Sequence, residues 1–117
     1  MLFLEYPACS TCKKAKKWLN DNHIVYTDRH IKEDQPSYEE LKHWQEISGL
    51  PVKKFFNTSG MQYRALELKD KLPGMSLEEQ LQLLATDGML VKRPILVTDS
   101  GTVLIGFKEA EWSENLL

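Results

Sequence analysis

The spacing of apolar residues changes several times along the chain, and each change marks an element. Leu2-Phe3-Leu4-Glu5-Tyr6 is a short, nearly unbroken apolar run, the pattern of a strand buried on both faces. From about Ser10 to Asn22, the residues Ala15, Trp18, Leu19 and Asn22 recur at intervals of three and four, which predicts a helix. Ile24-Val25-Tyr26-Thr27, β-branched and aromatic, then reads as a second strand. A strand-helix-strand opening places its two strands parallel, because the helix serves as the crossover.

The middle of the chain has the helical period only. Lys32 to Pro36 is polar and reads as a hinge. Ser37-Tyr38-Glu39-Glu40 is a capping box, opening a helix with Tyr38, Leu41, Trp44 and Ile47 on its apolar side and closed by Gly49 and Pro51. Val52 to Phe56 reads as a short helical turn, Asn57-Thr58-Ser59-Gly60 as a polar loop, and Gln62 to Leu68 as a further short helix. Ser76-Leu77-Glu78-Glu79 is a second capping box, followed by Leu81, Leu84 and Ala85 and ended by Gly88. Residues about 37–87 are thus expected to be a helical insertion within a core formed by about 1–32 and 91–117, all in one domain spanning 1–117. After the insertion, Pro94 to Thr98, the turn Asp99-Ser100-Gly101 and Thr102 to Ile105 predict a hairpin, and Glu109 to Leu116 a closing helix.

Composition narrows the function classes. Of 117 residues 42% are apolar, enough for one core, and the net charge of −2 argues against general nucleic-acid affinity. The start lacks a basic segment followed by an apolar stretch, and no apolar run approaches membrane length. A cytoplasmic, monomeric protein with reduced thiols is expected.

The two cysteines, Cys9 and Cys12, are the chain's only ones and stand one helical turn apart where the first strand hands over to the first helix. A structural disulfide there would close a tiny loop and constrain the unfolded chain little. A zinc site would need further ligands, and His23, His30 and His43 are scattered without metal-binding spacing. Inert core cysteines are the remaining alternative. The helix N-terminus favours a thiolate, so the position suits a redox-active dithiol. Lys13 and Lys16, four residues beyond Cys9 and Cys12, fall on the same helix face and could add positive field, whereas Lys14 and Lys17 read as solvated. Trp18 and Trp44 read as core, and Trp112 as core or partner contact.

The order β-α-β, helices, β-β-α, with C-x-x-C after the first strand and Pro94 heading the third, is the thioredoxin-like arrangement: an α/β fold with a four-stranded mixed sheet and a helical insertion. Pro94 then falls at that fold's cis-proline position. Through Tyr6-Pro7-Ala8-Cys9-Ser10-Thr11-Cys12, Arg93-Pro94-Ile95-Leu96-Val97 and the insertion between them, the chain resembles the glutaredoxin-coupled arsenate reductase and Spx family over nearly its full length. The run Lys54 to Gly60, Lys-Phe-Phe-Asn-Thr-Ser-Gly, resembles a small bacterial subgroup of it.

The resemblance implies a thiol-dependent oxidoreductase in which Cys9 is the nucleophile, Cys12 the resolving thiol and Arg93 the residue holding an oxyanion. Ser10, Thr11, Asn57 and Pro94 are the expected substrate contacts. Asn57, Thr58 and Ser59 read equally as turn formers. Asn57 and Gly106 stand where the best-known arsenate reductases carry two further oxyanion arginines. No bound cofactor or metal is implied. The implied electron donors are glutathione with glutaredoxin, or thioredoxin, and the substrate is a small oxyanion or a thiol. The alternative is an Spx-like, non-enzymatic redox switch that binds the RNA polymerase α-subunit.

Overall fold

A computed structural model describes residues 1–117. Strand β1 (Leu2–Glu5) leads into helix α1 (Ser10–Asp21) and strand β2 (Thr27–His30). The insertion carries α2 (Tyr38–Ser48), a 3₁₀ turn (Val52–Phe55), α3 (Met61–Ala65), α4 (Leu68–Lys71) and α5 (Leu77–Thr86), with further 3₁₀ turns at Leu72–Gly74 and Gly88–Leu90. Strands β3 (Ile95–Val97) and β4 (Val103–Ile105) and helix α6 (Glu109–Leu116) close the chain. The sheet order is β2-β1-β3-β4, with β1 and β2 parallel and the other pairs antiparallel. This is the four-stranded mixed sheet of the thioredoxin-like α/β fold.

Side chains alternate across a strand, so β1 and β3 feed two cores. Phe3 and Leu96, directly paired, join Leu104 beneath Ala15, Trp18 and Leu19 of α1 and Trp112 of α6. Leu4 and Ile95, also paired, face the insertion and meet Leu41, Trp44, Leu81 and Leu84. Trp112 is fully buried and packs edge-on against Phe3, Trp18 and Phe107, while its Nε1 donates to the Gly106 carbonyl at 3.1 Å. It is core rather than a partner contact.

The second strand differs from its expected place. Ile24 to Tyr26 lie outside it, Val25 is 88% exposed, and the paired residues are Thr27-Asp28-Arg29-His30. The apolar signal there has a local origin: the backbone at His23 takes the left-handed conformation (φ 56°) to end α1, and Tyr26 then packs its ring edge-on against Phe3, 5.4 Å between centroids. As an edge strand, β2 tolerates polar residues and uses them as ties. Arg29 forms a two-pronged pair with Glu40 (2.6 and 3.0 Å), joining β2 to the first turn of α2. Glu40 also completes the capping box with Ser37, and the box predicted at Ser76 and Glu79 is formed as well. Ile47, expected on the apolar side of α2, is exposed, and the short helix expected over Gln62 to Leu68 is split into α3 and α4 by Glu67 in the left-handed conformation.

One pairing has no counterpart in the hydrophobic pattern. Phe56 bridges Val91, flanked by Lys92 N–H donating to the Phe55 carbonyl and Asn57 N–H to the Leu90 carbonyl, both at 2.7 Å. It stitches the Lys54–Gly60 run to the segment entering β3. Gly88, just upstream, lies flat against the backbone of Ile31, where a Cβ would strike the Ile31 carbonyl.

Gly88→Ala is expected to lower stability by at least about 1–3 kcal/mol, because rigid backbone must move aside; equilibrium urea unfolding checks this. The Glu40 carboxyl is held below its ordinary value, mainly by the Arg29 guanidinium and also by Ser37, against the opposing effect of burial. Its contribution is therefore fully present above the unfolded carboxylate pKa, about 4.3, and is lost as pH falls through the lower folded value. Glu40→Gln, which preserves the cap, is expected to be less stable than the parent at pH 7, with the gap narrowing by pH 3 in denaturation midpoints.

Candidate active site

The site forms where β1 runs out into α1. Tyr6-Pro7-Ala8-Cys9 turns sharply, with Cys9 N–H donating to the Tyr6 carbonyl at 2.9 Å, and Cys9 becomes the N-cap of α1 in extended conformation (φ −78°, ψ 124°). Its carbonyl accepts the first helical bond from Lys13 N–H. Cys9 makes no side-chain cap bond, yet the first-turn N–H groups of Cys12 and Thr11 lie close enough to its sulfur to favour the thiolate. Both cysteines are free thiols, Cys9 partly exposed and Cys12 fully buried.

The two thiols have opposite protonation preferences. Burial works against the Cys9 thiolate, yet the Cys12 N–H, the Cys12 thiol, the Arg93 guanidinium and the Thr11 N–H together lower its pKa. Cys12 is pushed up to about 12, chiefly by burial, with the neighbouring Cys9 adding to the rise, against the opposing Tyr6 backbone and, more weakly, Arg93. Cys9 is therefore the sulfur favoured as thiolate, and Cys12 keeps its proton at neutral pH.

Arg93 reaches the site from the opposite strand. Its guanidinium lies 5.1 Å from the centroid of the Tyr6 ring and its Nη1 3.9 Å from the Met89 sulfur. Tyr6 in turn meets His30 edge-on at 5.7 Å. No carboxylate pairs with Arg93, so its charge is available to the thiol and to an anion. The Arg93-Pro94 bond is cis and Pro94 is buried. Ser10 and Thr11 are exposed on the first turn of α1, and Thr11 and Arg93 line one groove together with Gly106. Asn57 does not line that groove: its amide packs over Gly60, where a Cβ would approach its Nδ2 to 2.7 Å. No cluster of three or more His, Cys, Asp or Glu side chains suited to a metal is present.

Among the lysines of α1, Lys16 departs from the expectation of a field on the thiols, whereas Lys17 is solvent-exposed as expected. Lys16 turns to the sheet, 2.7 Å from Asp28 and 3.2 Å from Glu5 Oε2, and Lys17 pairs with Asp21 at 2.7 Å. No lysine is among the main influences on Cys9. Glu5 is 3% exposed; its Oε2 makes no hydrogen bond of good geometry, only the long pair with Lys16. Burial and then Asp28 raise its pKa, with Lys16 opposing. Tyr6, which stacks Arg93 in place, and buried Glu5 are the neighbours that strand-and-helix periodicity passes over; Tyr6 could have been found as the aromatic member of the quoted motif.

Limiting iodoacetamide is expected to label Cys9 before Cys12, with the Cys9 midpoint lowered from that of an ordinary thiol. Removing the guanidinium in Arg93→Ala removes a lowering influence, so that midpoint moves to higher pH. Mass-spectrometric mapping across a pH series reads both, and first labelling at Cys12 would reverse the roles.

Residues 4–115 match the ArsC family model. A solved structure of an ArsC family related protein from Bacteroides fragilis superposes with a TM-score of 0.93 at 63% identity, covering 97% of this chain and 94% of that one. The uncharacterized protein YusI of Bacillus subtilis is 57% identical over 115 residues, 98% of this chain and 97% of its own. The global transcriptional regulator Spx 1 of Bacillus cereus is 30% identical over 105 residues, 90% of this chain and 78% of its own. With the paired thiols at the head of α1 and the arginine before the cis proline, the chain belongs to the ArsC family.

Proposed function

We propose that the protein is a thiol-dependent oxidoreductase in which Cys9 attacks and Cys12 resolves. The observation that carries this reading is the pairing of an N-capping thiol favoured as thiolate with a buried thiol held protonated, beside an unpaired guanidinium. Attack by the Cys9 thiolate on an oxidised substrate forms a covalent adduct. Cys12 then loses its proton and attacks the Cys9 sulfur, so that the Cys9–Cys12 disulfide forms and the substrate departs with two electrons. With arsenate the product is arsenite, one oxygen leaving as water. Two electrons and two protons from thioredoxin, or from glutathione with glutaredoxin, restore the dithiol.

Arsenate itself is a poor fit. Arg93 is the one arginine in the groove beside Thr11, and Gly106 offers no side chain. Neutral hydrogen bonds are about half as strong as charge-assisted ones, so a tetrahedral dianion is held mainly at one point. The similarity to Spx 1 favours a second reading, in which the same disulfide alters a surface that binds the RNA polymerase α-subunit without turnover of a substrate.

Mild oxidant is expected to produce a reversible Cys9–Cys12 disulfide, read as the loss of two alkylatable thiols and their return with dithiothreitol. Arsenate reduction with either donor system is expected to be slow or absent, and any turnover to vanish in Arg93→Ala. Rapid turnover surviving that substitution contradicts the role given to Arg93, and failure to form the disulfide removes the resolving role of Cys12. Redox-dependent capture of the purified α-subunit by a protein without turnover favours the regulator.

A further inference from the structure

A groove of about 730 Å³ opens along the outer side of the sheet and is lined by the unbroken run Val103 to Lys108. Strand β4 is an edge strand. Gly106 N–H donates to the Pro94 carbonyl and Thr98 N–H to the Thr102 carbonyl, and this fixes the antiparallel alternation. The residues between these pairs, Val103 and Ile105, therefore turn their N–H and C=O groups away from β3. No other backbone or side-chain group in the protein bonds to them. The groove thus has a strip of free backbone donors and acceptors as one wall.

Its charge is one-sided. Lys54, Lys92, Arg93 and Lys108 line it against the single carboxylate of Glu111, on a chain whose net charge is −2. None of the four cations forms an ion pair within the protein. Unpaired edge strands are normally blunted or covered, because they add strands from other chains; here the edge is short, with Val103 7% exposed and Ile105 half-buried at the groove wall, and is flanked by cations. Strand addition takes affinity from main-chain hydrogen bonds and specificity from what flanks them. Cations flanking the edge select carboxylates.

We propose that this groove docks an extended acidic segment of a partner protein, which adds as a fifth strand beside β4 with its carboxylates on Lys54, Lys92 and Lys108. The far end of the groove reaches Thr11 and Arg93, so a docked segment is led toward the thiol site. The docking itself uses neither thiol and stands whether or not Cys9 turns over a substrate.

The test is an amide NMR titration of the reduced protein, under dithiothreitol, with a blocked eight-residue peptide alternating glutamate and threonine and a control alternating lysine and threonine. The acidic peptide is expected to shift the amides of Val103 and Ile105 and slow their hydrogen exchange, with affinity falling as salt rises. Lys54→Glu with Lys108→Glu, both exposed, is expected to weaken binding about tenfold or more while the rest of the spectrum keeps its dispersion. Ile105→Pro, which removes an outward N–H that β3 does not use, is expected to abolish it. The charge-reversed protein keeps the test decisive if that proline disturbs folding. Shifts confined to other surfaces, equal binding of the lysine peptide, or unchanged affinity in the double variant overturn the proposal. So does a concentration-dependent dimer with β4 at its interface, which assigns the edge to a second copy.

Discussion

The structure depends on the register between β1 and β3. With Phe3 opposite Leu96 and Leu4 opposite Ile95, each pair falls entirely within one of the two cores, Phe3 and Leu96 under α1 and α6, Leu4 and Ile95 under the insertion. A slip by one residue would exchange the faces of a whole strand and misplace all its side chains at once. The strands run antiparallel, so the end of β1 lies beside the start of β3. Cys9 leaves the sheet just beyond Glu5, and Arg93 enters just before Ile95, at the same end. The meeting of thiol and guanidinium is thus a by-product of core packing rather than a separate arrangement of surface loops.

The same logic explains what could be read from the chain and what could not. Both capping boxes, α6 and the β3–β4 hairpin follow from short-range patterns, and all were readable. The strand at Thr27–His30 was not, because an edge strand bound by Arg29 and Asp28 lacks apolar alternation, while Ile24 and Tyr26 carry it for reasons of packing beneath β1. The bridge between Phe56 and Val91 joins segments far apart in sequence, and no local signal encodes it. In the site, the positions of Cys9, Cys12 and Arg93 follow from motif and topology, whereas the stacking of Arg93 on Tyr6 depends on side-chain directions that periodicity does not supply.

Charge on the α1 side is sorted into two separate systems. Lys16 is drawn inward by Glu5 and Asp28, and Lys17 is neutralised within its own helix. The thiols are left with the helix N-terminus and one guanidinium held over an aromatic ring. A lysine field near Cys9 would be diffuse and screened by salt, while the N–H groups of Thr11 and Cys12 are fixed by the helix beside the sulfur. The difference between the two sulfurs then rests on geometry that ionic strength changes little.

The sheet also works as a partition. Apolar side chains of the α1–α6 layer and of the insertion form two clusters that meet through the backbones of β1, β3 and β4. Substitutions in layers without shared neighbours combine additively, so each layer can accumulate change without compensation from the other. The insertion, which supplies Lys54 to the groove wall, is therefore free to diverge away from the Tyr6 contact while the two cysteines stay fixed at the head of α1. Such a lineage can acquire new recognition without losing its reactive centre.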